Sequence, residues 1–210
     1  MKKIIPILTL LLFLTGCGKS SPKTTAEGYL NSLKDLNYEE TKKYYANKNE
    51  FFVLKEFTDR ITDGFRFVNS DKINEETMNE IIDSVKDYNE KCYGKTMDFD
   101  YKILDVKKEK DMATVKVKLE YIDGQDFPEL ADKIQKPDIN SEDFSKEFVN
   151  YYKELGKTLD KYNKKKETII VLSLKKIDGE YKIVNSSEIY NVLVEPLTKF
   201  IEVNQKWMEA

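Results

Sequence analysis

The chain is predicted to be an α+β protein, with N-terminal helices packed on a curved antiparallel sheet of about four strands. Three observations lead there. Apolar residues recur at helical spacing as far as Gly94 and then switch to strict alternation. An Asp-Gly pair, Asp178-Gly179, separates two alternating segments, the strongest short-range hairpin signal. Between about 123 and 166 the strand pattern disappears, which marks a helical insertion, and a helix closes the chain.

The first residues belong to a different category. Lys2 and Lys3 precede an apolar run from Ile4 to Leu14, broken only by Pro6 and Thr9, as in a secretion signal. The run is too short to cross a bilayer, which takes about 20 apolar residues. It ends in Leu14, Thr15, Gly16 and Cys17, a tetrapeptide that resembles the lipobox of bacterial lipoproteins. The resemblance implies removal of residues 1–16 as a signal peptide, and a diacylglycerol thioether plus palmitate-class acylation on Cys17. It also implies a protein anchored to the cell membrane by lipid and facing outside the cytoplasm. Residues 17–21 then form the lipidated N-terminus and its tether. Gly18 to Ser21 reach roughly 13–15 Å, so the folded part is expected to lie close to the bilayer.

Residues 22–210 read as a single domain. Ser21 followed by Pro22 is an N-cap with proline at the first helical position, and Ala26, Tyr29, Leu30 and Leu33 give an apolar stripe to about Asp35. A short helix over 38–46 and a longer one over about 50–65 follow. Asn74 caps the next, with Glu75 and Glu76 in its first turn, a stripe through Ile81, Val85, Tyr88 and Cys92, and Gly94 expected just past its end. Cys92 on that stripe reads as a small buried hydrophobe, and with Cys17 acylated it has no disulfide partner.

After Gly94, Met97, Phe99, Tyr101 and Ile103 alternate with polar residues. A turn at 107–111 leads to Ala113, Val115, Val117, Leu119 and Tyr121, alternating again. The insertion at about 123–166 contains Pro128, Pro137 and a helix over about 141–162, with the run Lys164, Lys165, Lys166 expected to complement that helix's C-terminal dipole. Strands resume over 167–177 and 180–184. A two-residue turn sets Lys175 opposite Lys182 and Leu174 opposite Ile183, so Leu172, Leu174, Tyr181 and Ile183 share a face. The last helix starts near Ser187, with a kink or break expected at Pro196.

Helices first, then two hairpins, with Lys175-Lys176-Ile177-Asp178-Gly179-Glu180-Tyr181-Lys182-Ile183-Val184 in the second, resemble the cone-like fold of the nuclear-transport-factor-two-like (cystatin-like) superfamily. More narrowly, the chain is similar to lipoproteins of unknown function from low-GC Gram-positive bacteria that carry such a domain directly after the lipobox. The resemblance implies an apolar cone that binds a small molecule or peptide, lined here by Phe99, Tyr101, Tyr121 and Tyr181, and a possible homodimer through the sheet. It also implies that an enzyme of this kind would use an acid and a tyrosine in the cone. Asp98 and Asp100 alternate out to the wet face, whereas a bulge after Ile103 would bring Asp105 towards the apolar row.

Composition narrows the function. The chain has 210 residues, no histidine and a net charge of −3; without residues 1–16 it keeps 33 basic and 38 acidic residues, a net charge of −5. Only Arg60 and Arg66 supply guanidinium forks, so nucleic acid is not an expected partner. No calcium loop, soft-metal cluster, phosphate loop or nucleophile motif occurs, and no metal, cofactor or catalytic residue is assigned. The expectation is a non-enzymatic binding or interaction protein, with a small molecule or protein as ligand. A cell-wall-associated component is another reading; it would use the aromatics Phe144, Phe148, Tyr151 and Tyr152 of the insertion as an exposed line, although their helical spacing is expected to pack them inward.

Overall fold

A computed structural model describes residues 20–47, 74–138 and 140–206. The signal segment, the lipobox and the helix expected over 50–65 lie outside the described residues. Six helices and four strands follow in the order α1 (Pro22–Lys34), α2 (Tyr38–Lys43), α3 (Glu75–Met97), β1 (Asp100–Glu109), β2 (Met112–Ile122), α4 (Phe127–Ala131), α5 (Phe144–Lys161), β3 (Lys165–Ile177), β4 (Glu180–Asn185) and α6 (Ser187–Lys206). The architecture is the expected α+β one: an open, fully antiparallel sheet in the order β1-β2-β3-β4, with helices against one face and a C-terminal helix.

Local chemistry sets most element boundaries. Ser21 and Thr24 form a reciprocal capping box at the start of α1, and Asn74 accepts the Thr77 N–H at 2.9 Å at the start of α3. Gly94 does not end α3. The helix runs on to Met97, because Thr96 and Met97 are buried and packing of that last turn outweighs the cost of a mid-helix glycine. Met97 is therefore helical, and Phe99 sits in the link before β1. Two insertion boundaries also differ from expectation. Lys165 and Lys166 belong to β3, paired with Ile122 and Tyr121, and do not close the preceding helix; α4, around Pro128, is an additional short helix.

The β3–β4 register follows from the two-residue turn, with Lys175 opposite Lys182 and Leu174 opposite Ile183. Asp178 and Gly179 both have positive φ, as a tight turn of this hand needs. The β1–β2 pair contains a bulge between Ile103 and Asp105. It absorbs Leu104 and returns Asp105 opposite Lys116 on the wet face, so the bulge moves no carboxylate inward.

Alternation then gives the sheet one dry face. Val115, Val117, Leu119, Leu172, Leu174 and Ile183 are fully buried there, beneath Ala26 and Leu30 of α1, Val85 and Cys92 of α3, and Leu197 and Phe200 of α6. Each such side chain contributes about 1.5–3 kcal/mol relative to exposure. Burial also pushes the Cys92 thiol well up, so it remains a neutral packing group.

The insertion joins the same apolar cluster. Phe127 of α4 meets Phe200 and Tyr162 edge-on, at ring-centroid distances of 5.1 and 5.6 Å. In α5, Phe148, Tyr151 and Tyr152 are buried and Tyr152 meets Tyr88 of α3 at 5.8 Å; the Tyr88 hydroxyl donates to the Phe200 carbonyl at 2.7 Å. Phe144 is half-buried against Phe148. These aromatics face inward, which removes the exposed row on which the cell-wall reading depended.

Helix α6 continues through Pro196. Gly124 (φ +71°) lies against that proline: a Cβ on Gly124 would come within 2.9 Å of Pro196 Cα, so only glycine satisfies both the backbone angle and the approach.

Candidate functional site

A cleft opens beside β4 among the described residues. After α2 the chain turns onto the sheet, and Tyr45 forms a parallel bridge to Ile183. The Ile183 N–H donates to the Tyr44 carbonyl at 2.7 Å, and the Ala46 N–H donates to the Ile183 carbonyl at 2.9 Å. On the other side Asn185 ends β4, and its Oδ1 accepts both the backbone N–H and the hydroxyl of Ser187, which launches α6. Between these two constructions lies a cleft of about 520 Å3, lined in part by Tyr45, Asn47, Asn185, Ser186, Ser187 and Tyr190.

Its chemistry is that of uncharged hydrogen-bonding groups. Tyr45 donates to Ser186 Oγ at 2.6 Å, and its hydroxyl lies 2.9 Å from that of Tyr29 behind it. Tyr29 is buried, and desolvation, followed by the neighbouring Tyr45, pushes its phenol well above the usual range. Burial also raises Tyr190. Both phenols stay neutral at physiological pH and can act only as donors or acceptors. The described lining residues carry no formal charge. Such a wall suits a neutral polar ligand or a stretch of backbone, with Ile183 and Val184 as its apolar part.

A second, shallower cavity of about 310 Å3 sits on the insertion, between Leu130 of α4, Thr158 and Lys161 of α5, and Tyr162 and Lys164 beyond it. Charges knit its base. Tyr162 donates a short hydrogen bond to Asp126, and Lys164 pairs with Asp126 at 3.1 Å. These contacts, Tyr162 first, hold the Asp126 carboxyl below the usual range. Lys166 pairs with Glu195 at 2.9 Å and Asp123 at 3.2 Å, and lies 5.3 Å from the Tyr121 ring centre. The contacts of Asp123, Asp126, Lys164, Lys166 and Glu195 close the insertion onto the sheet and α6.

The residues expected to line a cone pocket are placed separately. Tyr101, Tyr121 and Tyr181 do share the dry face, as their alternation requires. However, Tyr101 and Tyr181 lie on opposite edge strands, roughly 14 Å apart across the sheet at about 4.8 Å per strand spacing, and near opposite ends of it, since Tyr101 lies in line with Thr168 and Tyr181 pairs with Lys176. Phe99 is fully buried in the core. Tyr101 donates to Asn31 Oδ1 at 2.8 Å, Tyr121 is covered by Lys166, and Tyr181 is nearly buried with its backbone N–H donating to Ser20 Oγ at 2.6 Å. The structure does not bring the four around one cavity, and none of them lines either cleft.

Among the described residues the strands' carboxylates stay off the dry face as well. The inward positions of the four strands, read from the register, hold no Asp or Glu. Asp98 is exposed at the end of α3, Asp105 is exposed, and Asp100 is held on the surface by Lys34 at 2.8 Å and Lys165 at 3.5 Å. Sequence patterning missed Tyr45, Ser186 and Tyr190 because they stand at element ends and meet only through the Tyr45–Ile183 bridge. The one local signal was the Ser186-Ser187 pair before an apolar helical stripe.

No family model and no curated protein matches the chain. Among solved structures, it is similar to a chain from Bacillus subtilis subsp. subtilis str. 168, ycdA, provisionally described as a lipoprotein. The two are 16% identical with a TM-score of 0.39, over 81% of this chain and 55% of that one. The chain thus spans about half the length of that protein. No described helix is long and apolar enough to cross a membrane.

Proposed function

We propose that the chain is a lipid-anchored binding module of the cell envelope, held at the outer face of the cytoplasmic membrane through Cys17, and that it recognises its ligand in the β4-edge cleft without chemical turnover. One observation carries the binding reading. The dry face of the sheet is filled by aliphatic and aromatic side chains and lacks an inward acid, while the open cleft presents neutral hydroxyl and amide groups. A general acid or base needs a titratable group within hydrogen-bonding reach of the substrate, and the described cleft wall offers no carboxylate, lysine or cysteine, while burial holds the Tyr190 phenol above its usual range. The anchor reading rests on the lipobox-like tetrapeptide and the short tether.

The test is a thermal-shift screen of neutral envelope metabolites and short peptides. A compound that raises the melting temperature of the wild type should lose most of that effect with Tyr190→Ala, and with Ser186→Ala, which removes the acceptor of the Tyr45 hydroxyl. It should keep the effect with Tyr101→Phe, remote on β1. Shifts that survive both cleft substitutions would place binding elsewhere. Conversion of a stabilising compound into product by the purified protein would refute the non-enzymatic part.

A further inference from the structure

Ser20 fixes where the anchor leaves the fold. Its Oγ accepts the Tyr181 N–H at 2.6 Å, just after the β3–β4 turn, and Ser21 immediately caps α1. Ser20 lies three residue steps from Cys17, a reach of roughly 10 Å at 3.3–3.6 Å per residue. The β1–β2 turn lies beside the β3–β4 turn: the Lys176 N–H donates to the Asp111 carbonyl at 2.6 Å, and Met112 pairs with Lys175. The two turns together form one end of the sheet. Helix α1 runs from this end to the other, where Lys34 pairs with Asp100, about 20 Å away at 1.5 Å per residue.

The two ends differ in charge. The turn end exposes Lys107, Lys108, Lys110, Lys175 and Lys176, none ion-paired among the described residues. They outnumber Glu109, Asp111 and Asp178, and Glu180 is held by Lys182 at 2.7 Å. Met112 adds an exposed apolar group. At the far end lysines and acids neutralise one another, through Lys34–Asp100, Lys118–Glu167 at 2.7 Å and Lys165–Glu120 at 3.3 Å.

We propose that the paired-turn end of the sheet is a contact surface for anionic lipid headgroups, which orients the anchored protein with both turns on the bilayer and the far end pointing away. The inference rests on the lipidation of Cys17 proposed above. Lysine suits this partner: it is a compact cation on an apolar stem that attracts headgroup phosphate without needing a fixed bidentate geometry. The mature chain is acidic overall, at −5, so an anionic leaflet repels most of its surface and favours the one lysine-rich end.

The experiment uses the full lipidated protein on vesicles of phosphatidylcholine, alone or mixed with phosphatidylglycerol, doped with headgroup-nitroxide lipid. A fluorophore is placed on Glu109→Cys at the turn end or on Lys102→Cys towards the far end; Cys92 is buried and does not compete. On anionic vesicles the Glu109→Cys probe should be quenched at least about fivefold more than the other, the bias expected from even one of the two unbalanced lysines at the surface. High salt, neutral vesicles, or replacement of the five lysines by glutamine should each erase the difference. Failure of the protein to float with neutral vesicles would overturn the lipid anchor and the orientation with it. Floating with equal quenching of the two probes, or with a difference that ignores lipid charge, would overturn the contact surface alone.

Discussion

Phe127→Ala is expected to lower the unfolding free energy by about 3–5 kcal/mol, the range for deleting a fully buried phenylalanine. With a urea slope of roughly 2 kcal/mol/M, the midpoint should fall by about 2 M. The size of the effect reflects where Phe127 stands. It enters from the short helix α4 at the start of the insertion, edge-on to Phe200 of α6 and to Tyr162 at the insertion's far end. Its removal leaves a cavity and breaks two aromatic pairs at the point where insertion, sheet and C-terminal helix share one apolar cluster. Phe144→Ala, at a half-buried position on α5, should cost about 1–2 kcal/mol. A loss below about 1 kcal/mol for Phe127→Ala, or a biphasic transition, would mean that the insertion melts apart from the sheet and is no part of its core.

The second large effect concerns address. Cys17→Ser in the expressed full chain is expected to move the protein from the washed membrane fraction to the medium or periplasm. Each acyl chain with a dozen or more methylenes contributes roughly 10 kcal/mol of burial, at about 0.8 kcal/mol per CH2, and no other described feature provides an anchor of that order. The lysine-rich turn end supplies only a weak, salt-sensitive attraction, so the little protein still bound should wash off in high salt. Retention of Cys17→Ser on salt-washed membranes would count against the lipid as the anchor.

Much of the fold could be read from residue patterns, and particular residues show why the rest could not. The Asp178-Gly179 turn permits essentially one register, so the pairing of Lys175 with Lys182 was legible from two residues. Alternation likewise placed Val115, Val117 and Leu119 on the dry face. Gly94 misled because a glycine C-cap is a local preference, whereas Thr96 and Met97 are held in helix by burial against distant elements. Helix α4 spans five residues, too few to show a period. Lys165 and Lys166 carry a charge signal that suits a helix end, yet strand pairing with Ile122 and Tyr121 places them in β3, where Lys165 meets Asp100 and Glu120 and Lys166 meets Asp123 and Glu195.

The site was less legible than the fold. Tyr101, Tyr121 and Tyr181 were correctly grouped on one face, but a face four strands wide does not make a pocket, and the helices fill it with Leu30, Val85, Leu197 and Phe200. The cleft depends on Tyr45 reaching Ile183, a contact 138 positions apart that no local pattern encodes.

The central claim, a binding module held to the membrane by its own N-terminal cysteine, is tested most directly by the mass of the N-terminal peptide from protein extracted out of the membrane fraction. The account predicts a chain that begins at Cys17 and carries a diacylglyceryl group there. A chain that begins elsewhere, or an unmodified Cys17, would contradict it.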